Sequence, residues 1–533
     1  MDITELQHIY ATHPNVKGLA KQLENSSVRT FFLGGLHASA SPLFFSSLWQ
    51  HVSQTLVFIL NDMEEAGYFY HDLTQINGEE NVLFFPSSYR RAIKYGQKDA
   101  GNEILRTEVL SRLQKQDSLC IVTYPEALAE KVVSQRDLAS KTVSLKVGQC
   151  IETEQLMDTL YQLGFEQVDY VYEPGQYALR GSIVDVFSYA SEYPYRIDFF
   201  GDEIDSIRTF EVENQLSREK CEQISIVPEL TGGNDNYVPL LSFLSDKTIV
   251  VTKDLAFLHD RINQIYEEGF SAQAIIERTE GATEMEQQRI LSEMRKEIKL
   301  INGERFMRDI VNLRRIEIGH RPMGLPDATL KFNITPQPLF HKNFDLIQDS
   351  LESYMQKGYK LYILADSKKQ NERLKEIFGA KAPSNLPLGG GLRSSSPKGE
   401  AGTAITFTPV EKTLHEGFAD NDMKVCFFTD HQIFDRFHKY NLKSDKARSG
   451  KVALTLKEIS QFEVGDYVVH IDHGIGQFGG LLRMPQGNGF VEVIKITYQK
   501  GDSVYVSIHS LHKVSKYKAQ DNGQPPRLSQ LGT

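Results

Sequence analysis

Cysteine is scarce and scattered in this chain. Four cysteines (Cys120, Cys150, Cys221 and Cys426) occur in 533 residues, and no two stand in a CxxC spacing. That argues against a disulfide framework and a cysteine-ligated zinc, and it fits buried thiols in a reducing compartment. Long apolar runs are missing too, since no stretch approaches the roughly twenty residues that span a bilayer. The opening segment MDITELQHIY holds neither a basic nor an apolar block, so no signal peptide is expected there. A cytoplasmic chain without membrane contact is the expectation. Positive charge is in deficit, with a formal net charge of −11, so any contact with nucleic acid must be local. Catalytic signatures are absent as well. The chain has no GxxxxGK[ST], no DExx box in a helicase setting, no GxSxG and no HExxH.

What is present is a long, well-patterned chain, large enough for about three to five domains. Thr30–Leu33 reads as a buried strand, followed by Gly34 and Gly35 and a helix from about Ser41 to Val52. A phosphate loop would sit at such a corner. Counted from Gly34, however, its Gly-Lys-Ser positions hold Ser39, Ala40 and Ser41, so the neutralising lysine is missing. Gly34 and Gly35 are therefore expected to form a degenerate nucleotide loop. Strands at Leu56–Leu60, Val82–Phe85 and Ser118–Thr123 alternate with helical stretches, the rhythm of a mostly parallel sheet covered on both faces. Ile224–Val227 and Thr248–Val251 read as its continuation after an insert, and 272–315 as charged helices. A second small α/β domain is expected over 331–442, interrupted by a Gly/Ser/Pro-rich loop at 382–402.

The insert holds the most specific stretch, EPGQYALRGSIVDVFSYASEYPYRIDFFGDEIDSIRTFEV from Glu173 to Val212. Its alternation, broken by Gly181 and by the turn at Gly201-Asp202, reads as short antiparallel strands. Between Tyr170 and Val212 stand three arginines against eight acidic residues, which favours a protein partner over DNA. The order of residues resembles the strand-rich insert shared by the repair helicase UvrB and the bacterial transcription-repair coupling factors. That resemblance implies a UvrB-like parallel α/β domain around the insert and a UvrA-binding surface on it. Arg180, Phe187 and Arg196 are the positions it points to. By their local chemistry, Phe187 could equally be core and Arg180 could pair with Asp185.

Near the end, FEVGDYVVHIDHGIGQFGG and a later Ser510–Ser515 segment frame about five short strands with glycine turns, which predicts a small SH3-like or Tudor-like barrel. From Gln461 to Lys518 there are six Lys/Arg and five Asp/Glu, too balanced for a nucleic-acid groove. Val468, Val469 and Ile471 are expected on an edge strand open to β-addition, although Ile471 could instead be core. The pairs His470/His473 and His509/His512 are spaced H-x-x-H, which on a strand sends the two rings to opposite faces and argues against a metal. This segment resembles the polymerase-interacting domain of the coupling factors and the CarD-type regulators. It implies contact with the RNA polymerase β subunit through Val469, His470, Ile471, Asp472, His473 and Gly474.

The expected division is an α/β domain over 1–137 and 218–330, the insert at 138–217, the small α/β domain at 331–442, a linker at 443–457, the barrel at 458–518 and a polar tail at 519–533. The resemblance implies the N-terminal half of a coupling factor. This part would be a non-catalytic, monomeric adaptor without cofactor. ATP, magnesium and most DNA contact would belong to motor domains beyond the fragment. A UvrB-like nucleotide-dependent helicase and a CarD-like regulator without a repair role are the alternatives.

Overall fold

The computed structural model describes residues 1–89, 99–212, 215–230, 236–269, 283, 285–286, 300–379, 405–436, 438, 440, 464–470, 473–486, 489–507, 514–516 and 528–529. The loop expected at 382–402 and the linker at 443–457 lie outside them. Two compact units divide the chain: Met1–Lys98 with Arg112–Ser134 and Tyr237–Leu442, and Asp99–Ser111 with Gln135–Asn236 and Lys443–Thr533. Both parallel and antiparallel sheets are present, so the chain is mixed α/β.

The first unit is built on a seven-stranded sheet in the order Ala328–Lys331, Thr30–Gly34, Arg314–Gly319, Ile249–Thr252, Leu56–Ile59, Cys120–Thr123, Val82–Phe84. Every ladder in it is parallel. Strands such as Leu56–Ile59 (LVFI) and Ile249–Thr252 (IVVT) are buried at every position, the continuous pattern a sheet covered on both faces demands. Two readings need correction. Arg314 and Arg315 open a strand rather than closing a helix, which ends at Ile310. Their charge mimics the helix before them, but Arg314 uses its guanidinium to cap the carbonyls of Leu23 and Asn25 at 2.6 and 3.0 Å. Gln223–Ile226, read as a return to the parallel sheet, instead pairs antiparallel with Val143–Lys146. A four-residue apolar alternation does not reveal which partner it will take.

A second sheet in this unit runs in the order Ile334–Pro336, Phe418–Asp420, Val425–Thr429, Lys360–Ala365, Thr408–Glu411. Helices Phe344–Gln356 and Lys368–Gly379 pack Ile347, Leu351 and Leu374 against Leu361, Ile363 and Phe428. After Val425–Thr429 the chain makes one turn of helix, Asp430–Ile433.

The N-terminal helices tie the two sheets together. Helix Ile3–Tyr10 starts at a capping box in which Asp2 and Glu5 satisfy each other's backbone N–H. Its last residue, Tyr10, is fully buried and donates its hydroxyl to Asp420 Oδ2 at 2.8 Å. Beside it His13 Nδ1 accepts from the backbone of Asn15 and Nε2 lies 3.6 Å from the same carboxylate. Burial lowers the His13 pKa below the usual histidine range, against the opposing pull of Asp420 and Asp422.

In the second unit, six strands follow the order Ser217–Cys221, Glu203–Phe210, Tyr195–Phe200, Ile183–Val186, Gln176–Arg180, Glu166–Gln167. All ladders are antiparallel except the last. Helix Thr153–Gln162 lays Leu156 and Leu160 on the inner face against Tyr177, Val184, Ile197 and Phe199. The C-terminal sheet runs Ser503–Ser507, Gly489–Thr497, Gly474–Gln486, Tyr467–His470, Val514–Lys516. Among the described residues no ladder joins its two outer strands. The expected edge position of Val468 and Val469 is wrong. Their strand is flanked on both sides, pairing with Ile475 and Gly476 and also with Ser515 and Lys516. The distant return of 514–516 fills that edge, and local alternation cannot report it.

Two outcomes follow. Gly35 has φ +85°, and a Cβ there would stand 2.3 Å from the Phe332 carbonyl oxygen, so Gly35→Ala should destabilise the first unit by at least about 2 kcal/mol in denaturant titrations. Because the folded pKa of His13 lies below its unfolded value of about 6.5, its neutral form is the folded one. The stability this gives is complete above that pH and falls as pH drops below it. Comparing midpoints of His13→Asn and the parent between about pH 5 and 7 should show a flatter profile in the variant.

Candidate functional site

The outer face of the six-stranded sheet is organised around one carboxylate. Asp185 has 0% exposure and stands in a cross-strand row, Ala178–Asp185–Arg196–Arg208–Lys220. Arg196 grips it with two hydrogen bonds, Nε to Oδ1 at 2.8 Å and Nη2 to Oδ2 at 2.9 Å. Arg180 pairs with Oδ2 from the other side. Burying this charge is tolerable only because two guanidiniums and their N–H groups compensate it. Each cation also lies over an aromatic ring, Arg196 over Phe210 at 4.3 Å and Arg180 over Tyr170 at 5.0 Å.

The three residues singled out in the insert thus share one face but differ in access. Arg180 keeps 34% of its side chain exposed and Arg196 13%. Phe187 is 6% exposed and packs with Val171, Ala178 and Phe210, so its ring belongs to the core of this state. Sequence reasoning passed over the apolar groups that solvent does reach. Phe200 is 83% exposed just before the Gly201 turn, and Leu179 42% exposed next to Arg180. The signal was the double Phe199-Phe200 at a strand end, where alternation sends one ring inward and one out.

The corner after the first strand is a different kind of place. Gly35 and Ala38 both take positive φ, and the next helix begins at Ala40. Ser39 donates to the buried carboxylate of Asp72 and accepts from the backbone N–H of Glu416 at 2.9 Å. Asp72 also accepts from the N–H of His415 at 2.8 Å. A cavity of about 380 Å³ opens here, and its lining includes Asp62, Glu64, Glu65, Asp72 and Glu416. Its one lysine, Lys253, is paired with Glu65. Burial pushes Asp72 up to about 7, with Ser39 and His415 pulling the other way. Phosphates would meet carboxylates where a nucleotide site offers a lysine, so the cavity is electrostatically wrong for ATP.

In the C-terminal sheet, Val469 is half-buried, His470 is buried, His473 is exposed and Gly474 takes φ +75° at the turn. Ile471 and Asp472 lie outside the described residues, as do His509 and His512. The rings of His470 and His473 do not point apart. They stack at 4.6 Å because the chain reverses between them, with the His473 N–H donating to the His470 carbonyl. Side chains with metal-ligand spacing occur elsewhere, at His415/His431/His438 and at His13/Asp420/Asp422. In the second group Asp420 already accepts from Tyr10 and from the N–H groups of Asp422 and Met423.

Two family models match the chain. The UvrB interaction domain covers residues 143–231, and the CarD-like/TRCF RID domain covers 462–518. Among curated relatives, the transcription-repair-coupling factor of Staphylococcus aureus (strain bovine RF122 / ET3-1) is 24% identical over 550 residues, covering 93% of this chain and 46% of the relative. That of Bacillus subtilis (strain 168) is 23% identical over 552 residues, covering 94% and 46%. The chain spans about half the length of the curated relatives it matches. Together the matches fit an N-terminal segment of a transcription-repair-coupling factor.

Asp185→Ala would leave Arg196 with its bonds to Gln215 and Arg180 with solvent, and should cost about 3 kcal/mol, the low end for a buried pair because Arg180 is partly solvated. Hydrogen exchange should show faster opening of strands Gln176–Arg180 and Tyr195–Phe200, while Phe200→Ser leaves exchange there unchanged.

Proposed function

We propose that this chain is an adaptor that holds RNA polymerase stalled at a DNA lesion and recruits UvrA for nucleotide excision repair. The observation that carries the proposal is the presence of both recognition modules in one chain, a UvrB interaction domain at 143–231 and a polymerase-interacting domain of the CarD/TRCF type at 462–518. The adaptor works by surface, in the cytoplasm and as a monomer. No helix among the described residues is long and apolar enough to cross a membrane, and the net charge of −11 makes a broad DNA contact unfavourable.

On the insert, UvrA would meet the outer face around Arg180. A guanidinium that is partly exposed yet already held by Asp185 loses little conformational freedom on binding, and Phe200, on the same face as Arg196, adds apolar area of the kind that anchors interfaces. Arg196 and Phe187 act mainly by holding that face in shape. At the C-terminal end, the polymerase β subunit would be taken by the segment from Val469 to Gly474, with Ile471 as its apolar anchor. Since that strand is flanked on both sides, contact comes from side chains and the turn rather than from β-addition at this strand. We take this sheet to be an SH3-like or Tudor-like barrel.

A nucleotide-dependent helicase is disfavoured by the carboxylate-lined corner at Gly34 and Gly35, and a CarD-like regulator without repair by the UvrB interaction domain.

The test measures two binding reactions on one protein. The intact chain should bind purified UvrA and purified RNA polymerase. Arg180→Glu should weaken UvrA at least tenfold and leave polymerase unchanged. Ile471→Arg should do the reverse, since an unpaired guanidinium in an apolar contact costs several kcal/mol. Parallel loss of both in either folded variant would refute the division of labour.

A further inference from the structure

Within the first unit, the loop after Thr408–Glu411, the turn Asp430–Ile433 and the residues beyond it gather three histidines. One ring nitrogen from each of His415, His431 and His438 lies within 4.8 Å of the other two. The Nδ1 atoms of all three are buried and lack a hydrogen-bond partner among the described residues. Each such unpaired nitrogen leaves a desolvation cost uncompensated, so three together call for a partner that the described protein atoms do not supply. One tautomer is fixed by geometry. His431 Nε2 stands 2.7 Å from the backbone oxygen of His415, so that nitrogen carries the proton and donates, leaving the lone pair on Nδ1. An imidazole with one N–H held by a carbonyl and the other nitrogen free is prepared for a metal. Burial lowers all three pKa values, which keeps the rings neutral and their lone pairs available near neutral pH.

The surroundings fix the cluster in place. Tyr68 stacks flat on His415 with ring centroids 3.4 Å apart, and its hydroxyl donates to the His438 carbonyl at 2.8 Å. His71 meets His438 edge-on at 5.1 Å. Both Tyr68 and His71 come from helix Met63–Asn77, whose start is capped by Asp62.

We propose that His415, His431 and His438 form a site for one divalent transition-metal ion of borderline softness, the class of zinc, with a fourth position left to water or a small ligand. Tetrahedral bonds of about 2.0–2.1 Å place nitrogens roughly 3.3 Å apart. The His431 and His438 rings stack with centroids 4.3 Å apart and 13° between their planes, so binding requires them to turn about χ2 until both in-plane lone pairs meet at one ion. The ion would tie His415 to His431 and His438, fixing the rings against which Tyr68 and His71 of helix Met63–Asn77 pack. This inference is independent of the adaptor reading.

The test uses the full chain without a polyhistidine tag, stripped with chelator and titrated with Zn²⁺ by calorimetry and with Co²⁺ by visible absorption. One equivalent should bind, Co²⁺ should give the intense bands of a low-coordinate nitrogen site, and Zn²⁺ should raise the thermal midpoint. His431→Ala and His438→Gln should each weaken binding at least about 100-fold, since even groups behind a ligand cost 10- to 100-fold. The double change His470→Asn/His473→Asn, at the other close ring pair, should leave it unchanged. His438→Gln removes a half-buried ring whose Nδ1 has no hydrogen bond, so it keeps the fold if His431→Ala does not. Absence of stoichiometric binding by the folded parent would overturn the proposal, and so would binding that survives both single changes.

Discussion

The corner after the first strand constrains everything this chain can do. Strand, glycines and helix follow one another there without the lysine that a phosphate loop needs. Ser39, Asp72 and the 415–416 backbone close a hydrogen-bond network over the turn, and the cavity beside it is lined with carboxylates. Gly35 passes so close to the Phe332 carbonyl that only glycine fits. In the first unit this corner is a closed frame, whereas the surfaces proposed for partners lie on the insert and the C-terminal sheet.

Those surfaces depend on buried charge that is compensated within the chain. Asp185 fixes two arginines of the insert, and Asp420 fixes Tyr10 and the entry to the second sheet. In each case a carboxylate with no accessible surface is held by named donors, which specifies geometry more than it adds stability. For an adaptor this is useful, because a guanidinium already aimed by its partner binds with less ordering cost than a free one.

Much of the frame was legible in the sequence, and the limits were physical. Continuous apolar runs such as LVFI and IVVT identified the parallel strands because burial on both faces leaves no polar position. Arg314–Gly319 was missed because its leading arginines continue the charge pattern of a helix. The flanked position of Tyr467–His470 was missed because its second partner is some 45 residues away in sequence, and pairing at that range leaves no local trace. For the site, the Arg180–Asp185 pair and the burial of Phe187 could each be foreseen as one of two options, whereas which ring of the Phe199-Phe200 pair faces outward depends on the strand's partners. The His415/His431/His438 cluster has no sequence signature, since its spacings follow from sheet topology and not from one turn of helix.

The central claim is that one chain carries both partners at once. Sedimentation velocity of the chain with RNA polymerase and UvrA, each at concentrations above its own binding midpoint, tests that directly. A single faster species containing all three proteins is the result this account predicts. Two separate binary complexes that exchange but never combine would contradict it, because the two modules would then compete rather than connect.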